Sequence, residues 1–205
     1  MNTLVIDRST DVQSVAFMDA EGVIDAGVLE GTDCRSGDWT LKVTDFLAGR
    51  RPDRIVVGTG PGSFAGIRAA LAFAQGYAIG SDCEVLGLPS PCALAGEGPV
   101  AVVGDSRQEK FWIALFDGPR LIMPVFQVDK EGLGLRVPRG AAIFSPDDKR
   151  IGTLMKEWFG DFYKGAAVPT AEGLARFVRV NPSVLKPEPL PLYLNPAVRT
   201  PASAD

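Results

Sequence analysis

The chain has 205 residues, 46% of them hydrophobic and 22% charged, so it is long enough to bury a core in one domain or two small lobes. Its 21 basic and 25 acidic residues leave a formal charge of -4 without a Lys/Arg block, which argues against bulk nucleic-acid binding. The absence of histidine removes Ser-His-Asp and Cys-His triads, histidine bases and histidine metal sites together.

The cysteines and the apolar segments bear on the compartment. Three cysteines form no CxxC pair and are odd in number, which is typical of a reducing environment. They are Cys34, Cys83 and Cys92. No signal-peptide pattern is visible, and two polar residues interrupt the longest apolar stretch, which falls short of a membrane span. We expect a cytoplasmic protein that has no membrane contact.

The first half of the chain predicts a mixed five-stranded sheet flanked by helices. Three apolar runs separated by turn residues predict an antiparallel meander, and a short amphipathic helix follows from Asp38 to Gly49. A buried strand, a glycine-rich loop, a helix and a further strand come next, and they require parallel crossovers. These last four elements are expected at residues 54–58, 59–63, 64–80 and 85–88.

After residue 99 the strand pattern begins again and predicts a second, smaller and more divergent lobe. Its strands are expected at residues 100–105, 111–116 and 121–128, and later helices near 147–159 and 170–178. We therefore divide the chain into an N-lobe (1–97), a C-lobe (98–186) and a proline-rich tail (187–205). The tail is expected to be extended, to pack back on the N-lobe and to have a disordered end.

The helix expected at residues 64–80 is apolar on every side, so both of its faces need cover. One face can pack on the sheet, and a helix from another subunit is the expected cover for the other. Alternatively, the C-terminal helices fold back over it. The expected partner contacts lie on this helix and the preceding one. They are Trp39, Val43, Phe46, Leu47, Ile67, Ala70, Leu71, Ala74 and Tyr77.

The glycine-rich loop before this helix is a candidate phosphate cradle through Gly60, Gly62 and Ser63. The loop lacks the lysine of a P-loop. A dinucleotide-binding site needs an acid at the end of the next strand, whereas here Glu84 stands at the beginning of that strand. The loop is otherwise interpreted as a tight turn whose glycines allow close packing.

Two acids at strand ends are the other candidates. Asp7, followed by Ser9 and Thr10, is placed like an acid beside a phosphate or magnesium, and Asp105 closes the corresponding strand of the second lobe. A lone acid at a strand end is otherwise a turn former. Two acids at equivalent strand ends would match the layout of an actin-type ATPase.

Several motifs in chain order resemble the TsaB family, also called YeaZ. The opening segment at 4–16 and the run Gly-Pro-Gly-Ser-Phe-Ala-Gly-Ile-Arg at 60–68 carry most of the resemblance. The segments 104–112, 168–175 and 191–194 add weaker matches.

This resemblance implies an actin-like, ribonuclease H-like (ASKHA) α/β fold of two lobes. It also implies a role in making threonylcarbamoyladenosine beside the tRNA anticodon. In that system the histidine-bearing paralogue TsaD is the catalytic transferase, TsaB is its non-catalytic partner, and TsaE supplies an ATPase. The chain would have no cofactor of its own, although ATP and magnesium could act in the complex. It would meet tRNA only through the complex, and alone it could form a homodimer.

The sequence departs from the family at three places. Cys34 to Trp39 replace a His-Ser-Glu stretch, Arg8 stands where a threonine is usual, and Ala65 replaces the threonine of the glycine-rich run. The rival hypothesis is a small ATPase or kinase of the same fold that uses Asp7 and Asp105 with magnesium. A peptidase is disfavoured because the chain has no nucleophile and histidine base pair.

Overall fold

The computed structural model describes residues 1–30 and 38–194. The first lobe contains five strands and two helices. They are β1 (Thr3–Asp7), β2 (Ser14–Met18), β3 (Val23–Val28), α1 (Asp38–Leu47), β4 (Arg54–Gly58), α2 (Phe64–Ile79) and β5 (Glu84–Leu88). The predicted helices and strands of this lobe are confirmed to within a few residues.

The second lobe repeats this order of elements. It contains β6 (Pro99–Asp105), β7 (Phe111–Asp117), β8 (Arg120–Val128), α3 (Lys130–Arg136), β9 (Ala142–Ser145), α4 (Asp148–Phe159) and β10 (Tyr163–Ala166). Helix α5 (Ala171–Val180) and the two-residue strand β11 (Lys186–Pro187) follow. The sequence analysis did not predict α3, β9 or β10, because seven, four and four residues are too few to display a period.

The two sheets have the same topology. The first sheet has the order β11-β5-β4-β1-β2-β3, and the second has the order β10-β9-β6-β7-β8. In each, the first strand of the lobe pairs antiparallel with the next strand and parallel with a later one. The predicted five-stranded first sheet is corrected to six strands, because Lys186 and Pro187 pair antiparallel with Gly87 and Leu86 of β5.

Helix ends are set by local hydrogen bonds. The Ser63 hydroxyl accepts from the amide of Gly66 at 3.2 Å and so caps the N-terminus of α2. Thr170 does the same for α5, through the amide of Gly173 at 3.1 Å. Both caps are encoded within four residues, so they fix where these helices begin without help from the rest of the fold.

Apolar side chains form three clusters that order the molecule into layers. One cluster lies between the first sheet and helices α1 and α2, and another lies between the second sheet and helices α3 and α4. The third contains residues of both sheets and of α5, which therefore lies between them. The alternative in which the C-terminal helices cover α2 is wrong, since α5 packs on the opposite face of the first sheet.

The tail returns to the first lobe. After β11, the amide of Leu192 donates to the carbonyl of Thr59 at 2.8 Å. The predicted disordered end falls at residues 195–205, outside the described residues. None of the helices within 1–30 and 38–194 has the length and hydropathy that crossing a bilayer requires.

Candidate functional site

Most of the partner-contact residues predicted on α1 and α2 lie beneath the two helices, on the side that faces the sheet. Seven of the nine are buried in the cluster beneath the two helices. They are Trp39, Val43, Leu47, Ile67, Ala70, Leu71 and Ala74. Phe46 and Tyr77 are half-buried and pack against the same cluster. Because apolar residues occur all round α2, its sequence pattern did not show which face packs on the sheet. The face that packs is the one with Ile67, Ala70 and Leu71.

The opposite face of α2 is open. Ala65, Arg68, Ala72 and Gly76 are exposed along it, and Ile79 at its end is 90% exposed. Within residues 1–30 and 38–194, no helix or strand packs over this face. On α1, Leu41 is 65% exposed. The structure therefore leaves this face in contact with solvent, and its small side chains are interrupted by the polar Arg68 and Gln75. Cover from another subunit was expected here.

A stack of rings stands at the N-terminal end of α2. The rings of Phe64 and Tyr193 stack with centroids 5.1 Å apart, and the guanidinium of Arg68 lies 5.0 Å from the Phe64 centroid. Phe64 and Tyr193 are each about half exposed, at 48% and 47%. The sequence analysis did not find this stack, because it joins residues that are far apart in the chain.

Asp7 is completely buried at the end of β1. Its Oδ1 accepts hydrogen bonds from the amide of Ser9 at 2.9 Å and from the Ser9 hydroxyl at 2.7 Å. Its Oδ2 makes no hydrogen bond of standard geometry with any described residue, although the Ser90 hydroxyl is near enough to lower the pKa. Burial outweighs the hydrogen bonds from Ser90 and Ser9, so the pKa of Asp7 is raised above its ordinary value.

The glycine-rich loop packs directly on the turn after β1. A side chain at Gly62 would place its Cβ 1.9 Å from the Ser9 carbonyl oxygen, and one at Gly60 would meet Ile67 at 2.6 Å. The Ser63 amide donates to the same Ser9 carbonyl at 2.7 Å. Gly62 thus makes room for the backbone of Ser9 and Gly60 for the side chain of Ile67, as expected for a tight, closely packed turn.

Other donors of the loop are also engaged. The Gly60 amide donates to the Ser90 hydroxyl at 3.0 Å, and the Thr59 amide donates to the Leu88 carbonyl at 2.8 Å. Together with the Ser63 amide, these are groups that a phosphate cradle would aim at its ligand. Thr10, beside the loop, is half-buried, and its hydroxyl accepts from the Val12 amide at 3.2 Å.

Asp105 lies at the end of β6, the strand that corresponds to β1, but it belongs to a different network. Its Oδ2 pairs with Arg150 at 3.0 Å, and its Oδ1 accepts from the Arg107 amide at 2.7 Å. Its own amide donates to Asp147 at 2.9 Å. The structure thus gathers Asp7, Ser9 and the loop glycines, and leaves Asp105 with partners of its own lobe. No cluster of histidine, cysteine and acid side chains able to hold a metal occurs in the described ranges.

Two residues that the sequence analysis did not assign to the site help to build it. Ser90 follows β5, and its hydroxyl accepts from the Gly60 amide and lies near the Asp7 carboxylate. Nothing in its sequence context distinguishes it. Arg8 is 2% exposed, and its guanidinium lies 4.3 Å from the Trp39 ring centroid, so it links the turn after β1 to helix α1. The departure from the family's usual threonine is therefore a packing feature. Residues 34–37 of the other departure lie outside the described residues.

Comparisons with known proteins agree with this architecture. Residues 47–116 match the family model of TsaD, described as tRNA N6-adenosine threonylcarbamoyltransferase. A segment of 102 residues is 36% identical to uncharacterized proteins of Mycobacterium tuberculosis and Mycobacterium bovis, and covers 45% of this chain. The match covers 48% of those proteins, so the chain spans about half the length of the curated relatives it matches.

Two solved structures from Pseudomonas aeruginosa are similar over most of the chain. YeaZ is 24% identical, with a TM-score of 0.71 over 94% of this chain and 100% of that one. A protein described as similar to the peptidase YEAZ is 23% identical, with a TM-score of 0.71 over 95% of this chain and 99% of that one. The chain therefore has the two-lobed α/β fold of YeaZ, which agrees with the resemblance of its motifs to the TsaB (YeaZ) family.

Proposed function

We propose that this chain is a TsaB-like scaffold subunit in the synthesis of threonylcarbamoyladenosine on tRNA. In this role it binds and stabilises a TsaD-like catalytic paralogue. It provides a binding surface and no catalytic residues. The observation that carries the proposal is the open face of α2 on a YeaZ fold.

The open face has the composition of a helix-packing surface. Its alanines and Gly76 are small, so the backbone of a second helix can approach closely. Ile79 adds an exposed apolar side chain at the end of the helix, and Leu41 is exposed on the neighbouring α1. A TsaD-like paralogue is expected to share the fold and to offer equivalent helices, and we therefore expect a four-helix contact between the two chains. A homodimer through the same face is the expected state without the partner.

The environment of the acids at the strand ends supports a non-catalytic role. A general base or metal ligand must reach its substrate, whereas Asp7 is fully buried under Ser9 and its neighbours. Ser9, the serine nearest to a carboxylate, is also buried, and the chain has no histidine to activate it. These features count against a peptidase activity for this chain.

The rival hypothesis, an ATPase or kinase, finds no support in the geometry. It needs Asp7 and Asp105 to share a magnesium ion, but Asp105 is neutralised by Arg150 and Asp7 is enclosed. The glycine-rich loop has its amides turned to protein acceptors. Any ATP and magnesium in this proposal act at the level of the complex, where TsaE supplies the ATPase. The complex forms in the cytoplasm, and tRNA is reached only through it.

The test is binding to the TsaD-like paralogue of the same cell. Ala72 is exposed at the middle of the open face, so Ala72→Glu places a charge in the proposed contact without disturbing the core. We expect this change to weaken binding by about tenfold or more, because a desolvated and unpaired charge is costly. Ala70 and Ala74 are unsuitable for the test, because both are buried and a charge there would unfold the chain.

The matched control is Thr153→Glu, on an exposed position of α4 in the second lobe. Affinity is measured by titration and the mass of the complex by light scattering. A wild-type chain that forms no complex, with or without ATP and TsaE, would overturn the proposal. If Ala72→Glu and Thr153→Glu bind the paralogue with equal affinity, the open face of α2 is not part of the contact.

A further inference from the structure

The C-terminal segment 186–194, here called the strap, crosses the first lobe and ends beside the open face of α2. It begins with β11 on the edge of the sheet and continues past Gly87, where any side chain would place its Cβ 2.5 Å from Pro189. The hydrogen bond from the Leu192 amide to the Thr59 carbonyl then ties the strap to the loop before α2. Leu192 and Leu194 pack against the cluster between the sheets.

The strap holds a defined surface at the end of α2. Tyr193 stacks on Phe64, and Arg68 lies against the Phe64 ring, so three side chains from two distant segments form one ladder. Each aromatic ring keeps about half of its surface in water. Such a ladder costs little further side-chain entropy when it is covered, because the side chains already restrain one another.

This ladder is continuous with the open face. Phe64 and Arg68 are residues of α2 itself, and Ala65 and Ala72 continue the exposed surface along the helix. Tyrosine and arginine are the side chains that most often dominate binding energy at protein interfaces. Arg68 is the only charged residue of α2, so a partner that covers the helix must supply an acceptor for its guanidinium.

We propose that the strap completes the docking surface for the TsaD-like paralogue, with Tyr193, Phe64 and Arg68 as its anchor. The partner places an apolar side chain against the two rings and a carboxylate against Arg68. This inference rests on the proposed function, since it names a further part of the same contact. Without the strap, the Phe64 ring would lose its stacking with Tyr193, and the loop before α2 would lose the hydrogen bond from the Leu192 amide to the Thr59 carbonyl.

The experiment compares Tyr193→Ala, Tyr193→Phe and Phe162→Ala in the full chain. Phe162 is a 53% exposed aromatic residue of the second lobe and serves as the matched control. We expect Tyr193→Ala to weaken binding of the paralogue by about tenfold, as an aromatic anchor does. Tyr193→Phe keeps the stacked ring and should stay within about twofold of wild type, and Phe162→Ala should do the same.

A double-mutant cycle between Tyr193→Ala and Phe64→Ala tests whether the two rings act as a unit. If they do, the affinity loss of the double variant is smaller than the sum of the single losses in free-energy terms. The melting temperature of each variant is measured without the partner. It distinguishes a variant that is folded but binds weakly from one that is unfolded.

The two proposals fail in different ways. If the wild-type chain does not bind the paralogue, the proposed function is overturned and the strap inference with it. If the wild-type chain binds and Tyr193→Ala binds equally well, the strap inference alone is overturned. If Tyr193→Phe loses as much affinity as Tyr193→Ala, the hydroxyl and not the stacked ring is the anchor, which also contradicts the ladder.

Discussion

At the scale of single residues, Asp7 is the side chain whose environment differs most from its expected role. Sequence analysis placed it beside a phosphate or magnesium, but the structure encloses it completely. Oδ1 is held by Ser9, whereas Oδ2 has no hydrogen bond of standard geometry within the described residues. Burying a carboxylate with only partial compensation is costly, and the raised pKa of Asp7 expresses this cost.

This cost gives a pH-dependent prediction. Because the pKa of Asp7 is higher in the folded than in the unfolded chain, the folded state retains a proton that the unfolded state releases. Its contribution to stability is therefore fully present below the unfolded pKa of 3.8 and is lost as pH rises towards the folded pKa. The loss is about 1.4 kcal/mol for each pH unit in that interval.

The variant Asp7→Asn removes this titration and keeps an oxygen that can accept from Ser9. We expect its stability relative to wild type to rise between pH 4 and pH 7, as measured by urea unfolding at several pH values. A stability difference that stays constant over this range would contradict the raised pKa. Ser9→Ala at each pH is the control for the loss of the hydroxyl hydrogen bond, since the backbone amide of residue 9 still donates to Asp7.

At the scale of elements, helix α2 has two faces of different character. Ile67, Ala70 and Leu71 pack on the sheet, whereas Ala72 and Gly76 meet solvent. Gly66 lies where the helix approaches the turn after β1, and an added Cβ there would be 2.2 Å from the Arg8 carbonyl oxygen. Glycine is therefore required by close backbone packing at position 66, whereas at position 76 a side chain would meet only solvent.

Two substitutions in α2 test this contrast. Gly76→Ala adds a methyl group that meets no atom within 4 Å, so it should stabilise the free chain by about 0.5–1 kcal/mol through helix propensity. Gly66→Ala should destabilise it, because the backbone must move to relieve the contact. Chemical denaturation measures both, and stabilisation by Gly66→Ala would contradict the close packing described here.

What the sequence could predict at this scale depended on pattern length. Helix α2 and the cap at Ser63 were predictable, because sixteen residues and a local hydrogen bond carry their own signal. Which face of α2 packs was not predictable, since apolar residues surround the helix and only the sheet selects among them. The stack of Phe64 on Tyr193 had no local signal at all, because 129 positions separate the two residues.

At the scale of the whole molecule, the chain is a repeat of one topology with a shared core. Both lobes run through three strands, a helix, a strand, a helix and a strand, and the two sheets have the same strand order apart from β11, which only the first sheet has. Helix α5 lies between them, and Phe177 of α5 meets Phe116 of the second sheet edge to face with centroids 6.2 Å apart. The sequence showed the start of this repeat but not its completion, because β9 and β10 are too short to recognise.

The shared core predicts that the two lobes unfold together. Leu174 is fully buried in the cluster that contains residues of both sheets. Leu174→Ala should lower the free energy of unfolding by about 2–5 kcal/mol and speed hydrogen exchange in β1 and β9 alike. The control Ile122→Ala, at a half-exposed position of β8, should change stability by less than about 0.5 kcal/mol. Faster exchange confined to one lobe would contradict a shared core.

The position of α5 between the sheets also affects how the protein is made. The five strands of the first lobe are complete at Leu88, but α5, which covers one face of their sheet, begins only at Ala171. At synthesis rates of about 5–20 residues per second, that apolar face waits roughly 4 to 17 s for its cover. Val5, Ala16 and Val56 remain exposed on the growing chain during that time. The main aggregation hazard therefore falls during translation, when a chaperone that holds apolar strands would be of most use.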